Sequence, residues 1–349
     1  MRKLSLLLLF CVLGFTSEVA YSHNNPPSQN KVSGYLLKNC PILINANLLI
    51  GRVQGTPANY AQFVQTPNMA NPDIATVINT YDFKNGIDVG FRAGLGIGCK
   101  NIINLSLQYT YFRNKASEGR DFVAASTVTL FNTQMTSHVG LVDVPIRIES
   151  FQKQHYQTVD LLIQTATWSP TSCTRLQPFG GVRWLSYKRQ LSSTVLNNSD
   201  ASSFVNTTSN YKVNGTGVLL GTDIKWVFST NFYFYSNLTA GILAGLHKTT
   251  YANLNTTGST DVSIKHNEKY PLSFDPLLEM RFGFAYERIM RNCWLLSLYI
   301  AYEMSSFLHT SSLPINPAGA LTLSAPVSPL RTNTLIKTQL GIIGIGFAF

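Results

Sequence analysis

Charge is scarce in this chain, and past its first residues there is no apolar run long enough to cross a membrane as a helix. Only 13% of the 349 residues are charged while 45% are hydrophobic, a balance few soluble exported domains have. Catalytic and cofactor motifs are missing as well. There is no nucleophile elbow of the Gly-x-Ser-x-Gly type and no phosphate-binding glycine loop opening a helix. Gly94-Leu-Gly96 lies inside an alternating stretch, where glycines make room in an interior rather than cradle a nucleotide. Cysteine is sparse, at five residues. Cys40, Cys99, Cys173 and Cys293 match no zinc spacing and have no histidine nearby in sequence, so neither a metal nor a cofactor is expected. No basic cluster interleaves with aromatics, which speaks against nucleic acid as a partner.

What is present begins with Arg2 and Lys3, an apolar run from Leu4 to Phe15, and small or polar residues through Ser22. This is the anatomy of a secretory signal. The run is 12 residues long, against the ~20 a spanning helix needs. Ala20 and Ser22 satisfy the small-x-small cleavage rule, with Gly14-Phe15-Thr16 as second choice, and Cys11 follows Phe10, unlike a lipoprotein site. The expected organisation is a signal peptide over 1–22, a short periplasmic segment over 23–41 and a single transmembrane domain over 42–349. The formal net charge of +10 is compatible with anionic lipid, acidic glycans or anionic solutes as partners, and equally with a basic solvated surface.

The positive signal is a period of two. Ile42, Ile44, Ala46, Leu48 and Ile50 alternate with polar positions that include Asn45 and Asn47. Ile87, Val89, Phe91, Ala93 and Leu95 alternate with Asp88, Gly90, Arg92 and Gly94. The pattern returns at Ile103–Tyr111, Thr216–Trp226, Pro276–Tyr286 and Trp294–Tyr302. Such alternation means strands with one apolar face, but a soluble sandwich shows it too. Connection lengths separate the two. Short turns at Gly98–Asn101, Ser169–Thr174, Ser229–Asn231 and Met290–Asn292 alternate with long connections near 52–85, 114–150, 191–210, 252–269 and 306–333, rich in Asn, Ser and Thr. Short periplasmic turns and long extracellular loops are how outer-membrane barrels are built. The predicted fold is therefore all-β, a closed antiparallel transmembrane barrel of about ten strands, with starts near 42, 86, 102, 157, 176, 212, 232, 273, 294 and 335. Residues 122–132 alternate poorly and leave room for twelve strands or a short loop helix.

Aromatic placement agrees. Trp168, Trp226, Phe232, Phe234 and Trp294 stand beside the short turns, and Tyr109, Tyr111 and Trp184 lie toward the opposite strand ends, as two interfacial girdles require. At the C-terminus Ile343, Ile345, Phe347 and Phe349 share one face, and the sequence stops at Phe349. That row resembles the terminal signal read by the barrel-assembly machinery, an expected partner alongside outer-membrane lipid and lipopolysaccharide. The expected location is the bacterial outer membrane.

Several stretches are similar to the pore-forming outer-membrane proteins of Legionella-type bacteria, a group compared with the chlamydial major outer-membrane proteins. They are Gly90-Phe-Arg-Ala-Gly-Leu-Gly96, Leu105-Ser-Leu-Gln-Tyr-Thr110, Val159-Asp-Leu161, Leu176-Gln-Pro-Phe-Gly-Gly-Val-Arg183, Gly221-Thr-Asp-Ile-Lys-Trp226 and Leu278-Glu-Met-Arg-Phe-Gly283. In order, they touch almost every expected strand. The resemblance implies a pore; the residues alone imply a barrel. Nothing in the long loops matches, so solute specificity does not carry over.

With apolar faces toward lipid, Asp88, Arg92, Asp160, Gln164, Arg183, Asp223, Lys225, Asp275, Glu279, Arg281 and Glu303 are expected to line the lumen. Two readings follow: a pore passing small solutes or ions, or a narrow barrel plugged by its own side chains. Ten strands favour a small or loop-gated channel over a wide porin. Adhesion through the Ser/Thr/Asn-rich segment 192–210 is a third reading. A rim hydrolase built on His247 and Asp261 is a fourth and less favoured one, because His138, His155, His247, His266 and His309 sit in no motif with a neighbouring nucleophile. The four mature cysteines all lie at the short-turn end, so disulfides there, within or between chains, are expected in an oxidising periplasm. Non-reducing electrophoresis should show a mobility change relative to the reduced protein; an unchanged mobility with four titratable thiols contradicts the expectation.

Overall fold

The computed structural model describes residues 42–55, 59–65, 76–82, 86–99, 103–123, 128–131, 138–139, 145–197, 204–257, 260–290, 294–313 and 330–349. Fourteen strands are formed: β1 Ile42–Gly55, β2 Asn59–Gln65, β3 Thr76–Asp82, β4 Asp88–Cys99, β5 Ile103–Val123, β6 Val128–Phe131, β7 His138–Val139, β8 Pro145–Thr165, β9 Thr174–Asn197, β10 Phe204–Val227, β11 Phe232–Thr257, β12 Thr260–Met290, β13 Trp294–Leu313 and β14 Leu330–Ala348. Ten of them close a barrel in the order β1-β14-β13-β12-β11-β10-β9-β8-β5-β4, and the other four make a small sheet, β3-β2-β6-β7. All barrel pairings are antiparallel. Among the described residues no helix is long and apolar enough to cross a membrane, a statement that does not bear on strands.

The strand count and the short-turn ends match the alternation pattern. The other ends do not. The segments 191–210 and 252–269 were expected to be loops, yet β9 and β10 continue to Asn197 and from Phe204, and β11 and β12 meet between Thr257 and Thr260. The physical reason is that a strand standing clear of the bilayer has water on its outside, so neither face must be apolar. Its ladder persists while its hydrophobic period vanishes. Residues 122–132 contain β6, which pairs with β2 and β7 outside the barrel, so the barrel has ten strands and not twelve.

Closure joins the first strand to the last. The Ile42 amide donates to the Phe349 carbonyl at 2.9 Å and the Phe349 amide returns a bond to Ile42 at 3.1 Å, while the Phe349 ring stacks on Trp294 with centroids 5.3 Å apart. Ile343, Ile345, Phe347 and Phe349 are exposed on the outside, and the preceding Ile342 and the intervening Ala348 are buried within. On β10, Val218 and Leu220 are 61% and 70% exposed. A belt of large apolar side chains turned outward around the whole barrel is the arrangement a hydrocarbon solvent favours and water does not.

The interior is more apolar than alternation suggested. Leu49, Phe112, Leu185, Tyr187, Leu340 and Ile342 are buried inside the barrel, together with the charged side chains. Gly344 has no side chain for a reason of space: a Cβ there would enter the Tyr299 ring and the Asn47 amide. Gly94 likewise backs directly onto the Asn45 amide.

Val218→Arg tests the outward orientation. In lipid it should destabilise the folded barrel by about 2–4 kcal/mol if the site lies near the bilayer midplane. On a water-exposed surface the same change stays within about 0.5 kcal/mol. Denaturant titration of the protein refolded into vesicles, followed by tryptophan fluorescence, measures it.

Candidate functional site

Strand parity fixes what points inward: even positions on β4, β5, β8 and β14, odd positions on β1, β9, β10, β11, β13 and, from Ser273 onward, β12, where a register shift opposite Gly245/His247 reverses the parity of the preceding residues. The interior is layered. At the short-turn end lies a cavity of about 420 Å³ lined by Asn45, Gln108, Gln164, Asp223, Lys225 and Tyr235, among others. Its polar groups hold one another. Asp223 accepts from Asn237 at 2.7 Å and from Gln164 at 3.2 Å. Glu287 accepts from the Tyr233 hydroxyl at 2.6 Å, and Lys225 stands 3.5 Å from Glu287 and 4.7 Å from the Tyr233 ring centroid.

Above the cavity a relay of alternating charge crosses the barrel. Arg183 on β9 donates to both oxygens of Asp160 on β8 at 2.6 and 2.7 Å, and its third nitrogen reaches Glu279 on β12 at 2.7 Å. Glu279 lies 3.7 Å from Arg281. Arg281 bonds Glu303 on β13 at 2.7 and 2.6 Å, and Arg92 on β4 grips the same carboxylate at 2.7 Å through two nitrogens. Three guanidiniums thus meet three carboxylates. Arg92, Arg183, Asp160, Glu279 and Glu303 are each at most 4% exposed. Two of the links, Arg183 to Glu279 and Arg92 to Glu303, join strands that are not ladder neighbours, so they pass across the lumen.

Beyond the relay, toward the long-connection end, Leu49, Phe112, Leu185, Tyr187, Leu277 and Phe307 form a buried apolar layer. A second polar cluster follows. The His247 ring approaches Tyr211 through Nδ1 at 3.0 Å, and through Nε2 meets both Ser273 at 2.5 Å and Asp275 at 3.0 Å.

The chain matches the family model described as the Legionella pneumophila major outer membrane protein precursor over residues 47–320. The chain belongs to this family. No curated protein matches it. Among solved structures it is similar to the outer membrane protease OmpT of Escherichia coli (9% identity, TM-score 0.46, 88% of this chain and 97% of that one). It is also similar to the outer membrane protein OprG of Pseudomonas aeruginosa (10% identity, TM-score 0.26, covering 89% and 97%). A third is a Pseudomonas aeruginosa FadL homologue (6% identity, TM-score 0.26, covering 89% and 90%). The family places this protein in the outer membrane.

Of the residues expected to line the lumen of this family member, Arg92, Asp160, Arg183, Glu279, Arg281 and Glu303 meet in the relay, and Gln164, Asp223 and Lys225 line the cavity. Asp275 belongs to the His247 cluster. Asp88 instead starts β4 at the opposite rim, where it accepts the Lys115 amide at 2.8 Å. His247 and Asp261 do not meet: on the β11–β12 ladder His247 faces Tyr270 while Asp261 faces Thr256, nine residues further out, roughly 30 Å along the strand. Nor is the Ser273–His247–Asp275 group a hydrolytic triad, because serine and carboxylate crowd one ring nitrogen instead of occupying opposite ones. Cys173 is exposed with a free thiol in the turn after β8, while Cys40, Cys293 and the side chain of Cys99 lie outside the described residues.

The sequence reasoning overlooked Asn47 and Tyr299, which hydrogen-bond each other within the barrel, and Thr110, which accepts from Arg92 at 2.9 Å. Inward parity was their available signal, left unused because the lumen list was confined to charged side chains and Gln164.

Removing one member of the relay leaves its partners buried without a counter-charge. Arg183→Met should therefore cost about 3–5 kcal/mol, whereas a double change to apolar residues at Arg183 and Asp160, which removes both members of that pair and leaves Glu279 with Arg281, should cost less than Arg183→Met alone. Equilibrium unfolding in lipid or detergent compares the two with the wild-type protein.

Proposed function

We propose that this protein is a narrow outer-membrane pore for the passive diffusion of small solutes or ions, conducting through rearrangement of its charge relay. The observation that carries the reading is the Asp160–Arg183–Glu279–Arg281–Glu303–Arg92 chain standing directly over a cavity of about 420 Å³ with polar and charged groups in its lining. Ion pairs between long side chains have alternative partners within reach, so they can part and re-form without unfolding the wall. A hydrated ion entering from the short-turn end meets fixed groups of both signs and can replace either partner of a pair. The role is that of a channel, not an enzyme; the arrangement at His247 supports this. The N-terminal signal peptide, delivery to the barrel-assembly machinery and disulfide bonding at the periplasmic rim belong to the same reading, supported by the sequence features that suggested them.

A second reading rests on a specific observation. The apolar layer of Leu49, Phe112, Leu185 and Tyr187 is as tightly buried as a protein core, and a barrel closed there serves as a structural or surface-exposed adhesive element. Planar-bilayer recording separates them. The pore reading expects small, discrete currents from the wild-type protein and a larger conductance from Glu279→Ala with Arg281→Ala. Inserted protein that never conducts at any voltage or salt leaves the non-conducting barrel.

A further inference from the structure

The outer wall carries a feature that only the strand register reveals. Arg113 on β5 is directly opposite His155 on β8, His155 opposite Lys188 on β9, Lys188 opposite Lys212 on β10, Lys212 opposite Lys248 on β11, and Lys248 opposite Lys269 on β12. Six adjacent strands thus present six basic side chains in one unbroken row. Its parity is outward, since the flanking Phe112, Tyr156, Tyr187, Tyr211 and His247 are buried inside, and Lys188, Lys212, Lys248 and Lys269 are exposed. Lys115 faces Lys153 in the next row toward the long-connection end. Lys153, Arg113, Lys188 and Lys115 surround the His155 ring, and the row's charge is carried by Arg113 and the four lysines.

Like charges set directly opposite on a sheet repel and weaken it, and this row contains no carboxylate. Other cations of the barrel are set against carboxylates instead. Inside, Arg92, Arg183 and Arg281 each touch a carboxylate, and further out on the same wall Arg147 pairs with Glu149 at 2.9 Å. The level of the row is equally specific. Lys188 follows the outward Trp184 by four residues on β9, which at ~3.4 Å per residue and ~40° tilt is roughly 10 Å beyond the aromatic girdle, in the head-group zone. The long connections are at this end, so the leaflet is the outer one.

We propose that this row is a seat for the phosphorylated head groups of the outer-leaflet glycolipid, which wraps β5 and β8–β12 and supplies counter-charge to the row. Phosphate offers several acceptor oxygens to neighbouring lysines on adjacent strands, and the acyl chains of the glycolipid lie against Val182, Val218, Leu220 and Ile242, which are exposed below the row. The inference rests on the outer-membrane placement and not on conduction. The opposite wall carries only Arg52 and Lys337 as described outward cations on β1 and β14, with Arg52 donating to Gln339 at 2.9 Å, and is not part of the seat.

The test uses the full-length protein refolded in detergent micelles, with bisphosphorylated lipid A, the same lipid dephosphorylated, and inorganic phosphate as probes. Wild type should bind the bisphosphorylated lipid at least about tenfold tighter than the dephosphorylated one, with affinity falling as salt rises. Lys188→Gln, Lys212→Gln, Lys248→Gln and Lys269→Gln together should abolish that preference, and Arg52→Gln with Lys337→Gln should keep it. Heat-modifiable electrophoretic mobility verifies that each barrel is folded, and Lys212→Gln alone, with a partial loss, serves if the quadruple variant does not fold. Equal binding of the two lipids, equal loss in the control variant, or inorganic phosphate binding as tightly as the lipid each overturns the proposal. Bilayer conductance is recorded in parallel, so failure of the pore reading is seen separately.

Discussion

Everything in this structure follows from one constraint: within hydrocarbon no water is available to satisfy a peptide group. Where the described residues hold no spanning helix, that demand is met by closing a sheet on itself, so the ladder from β1 to β14 has no free edge in the bilayer. The reciprocal bonds between Ile42 and Phe349 complete it. Once the wall is closed, alternation assigns each side chain to one of two solvents, and the outward Ile343 row and the inward Asn45, Asn47 and Leu49 series are consequences of the same closure.

Closure also creates an interior that must be filled or kept wet. Ten strands leave little room, and the chain fills the space unevenly, with a polar cavity, then a balanced set of charges, then apolar side chains. Balance matters because a guanidinium within such an interior needs its counter-charge at bonding distance. Arg183 therefore takes three carboxylate oxygens from two different acids. Outside the bilayer the same chemistry has another solution, because mobile head groups can provide the opposing charge. The row from Arg113 to Lys269 sets cation beside cation, where the relay inside sets each guanidinium against a carboxylate.

How much of this the sequence made legible depends on which solvent was reading it. Where lipid touches the wall, at Thr216–Trp226 or Ile343–Phe349, the alternation is strict, and strand, face and count could all be read. Where water lies on both sides, as at Ser192–Asn197 and Phe204–Asn210, the same ladder leaves no hydrophobic trace, and polar strand was taken for loop. The relay members were visible as charged residues at inward parity. Their partnering was not, because Arg92 and Glu303 are 211 positions apart and only closure brings them together. Lys188, Lys212, Lys248 and Lys269 are scattered along the chain, and their alignment depends on three separate hairpin registers that no local pattern records.

The position of the relay is itself an argument about function. Buried ion pairs are poor sources of stability, since apolar residues of similar volume often do as well or better. This chain has an apolar solution immediately adjacent, in Leu49, Phe112, Leu185 and Leu277, and could have continued it downward. Instead it keeps six ionised groups where desolvation is costly, bridging strands on different parts of the wall and facing a cavity open to polar contact. A wall seeking only rigidity gains little from that choice. An interior that must admit charged or strongly hydrated species gains much, because ionised groups at a constriction lower the cost of passing charge through it.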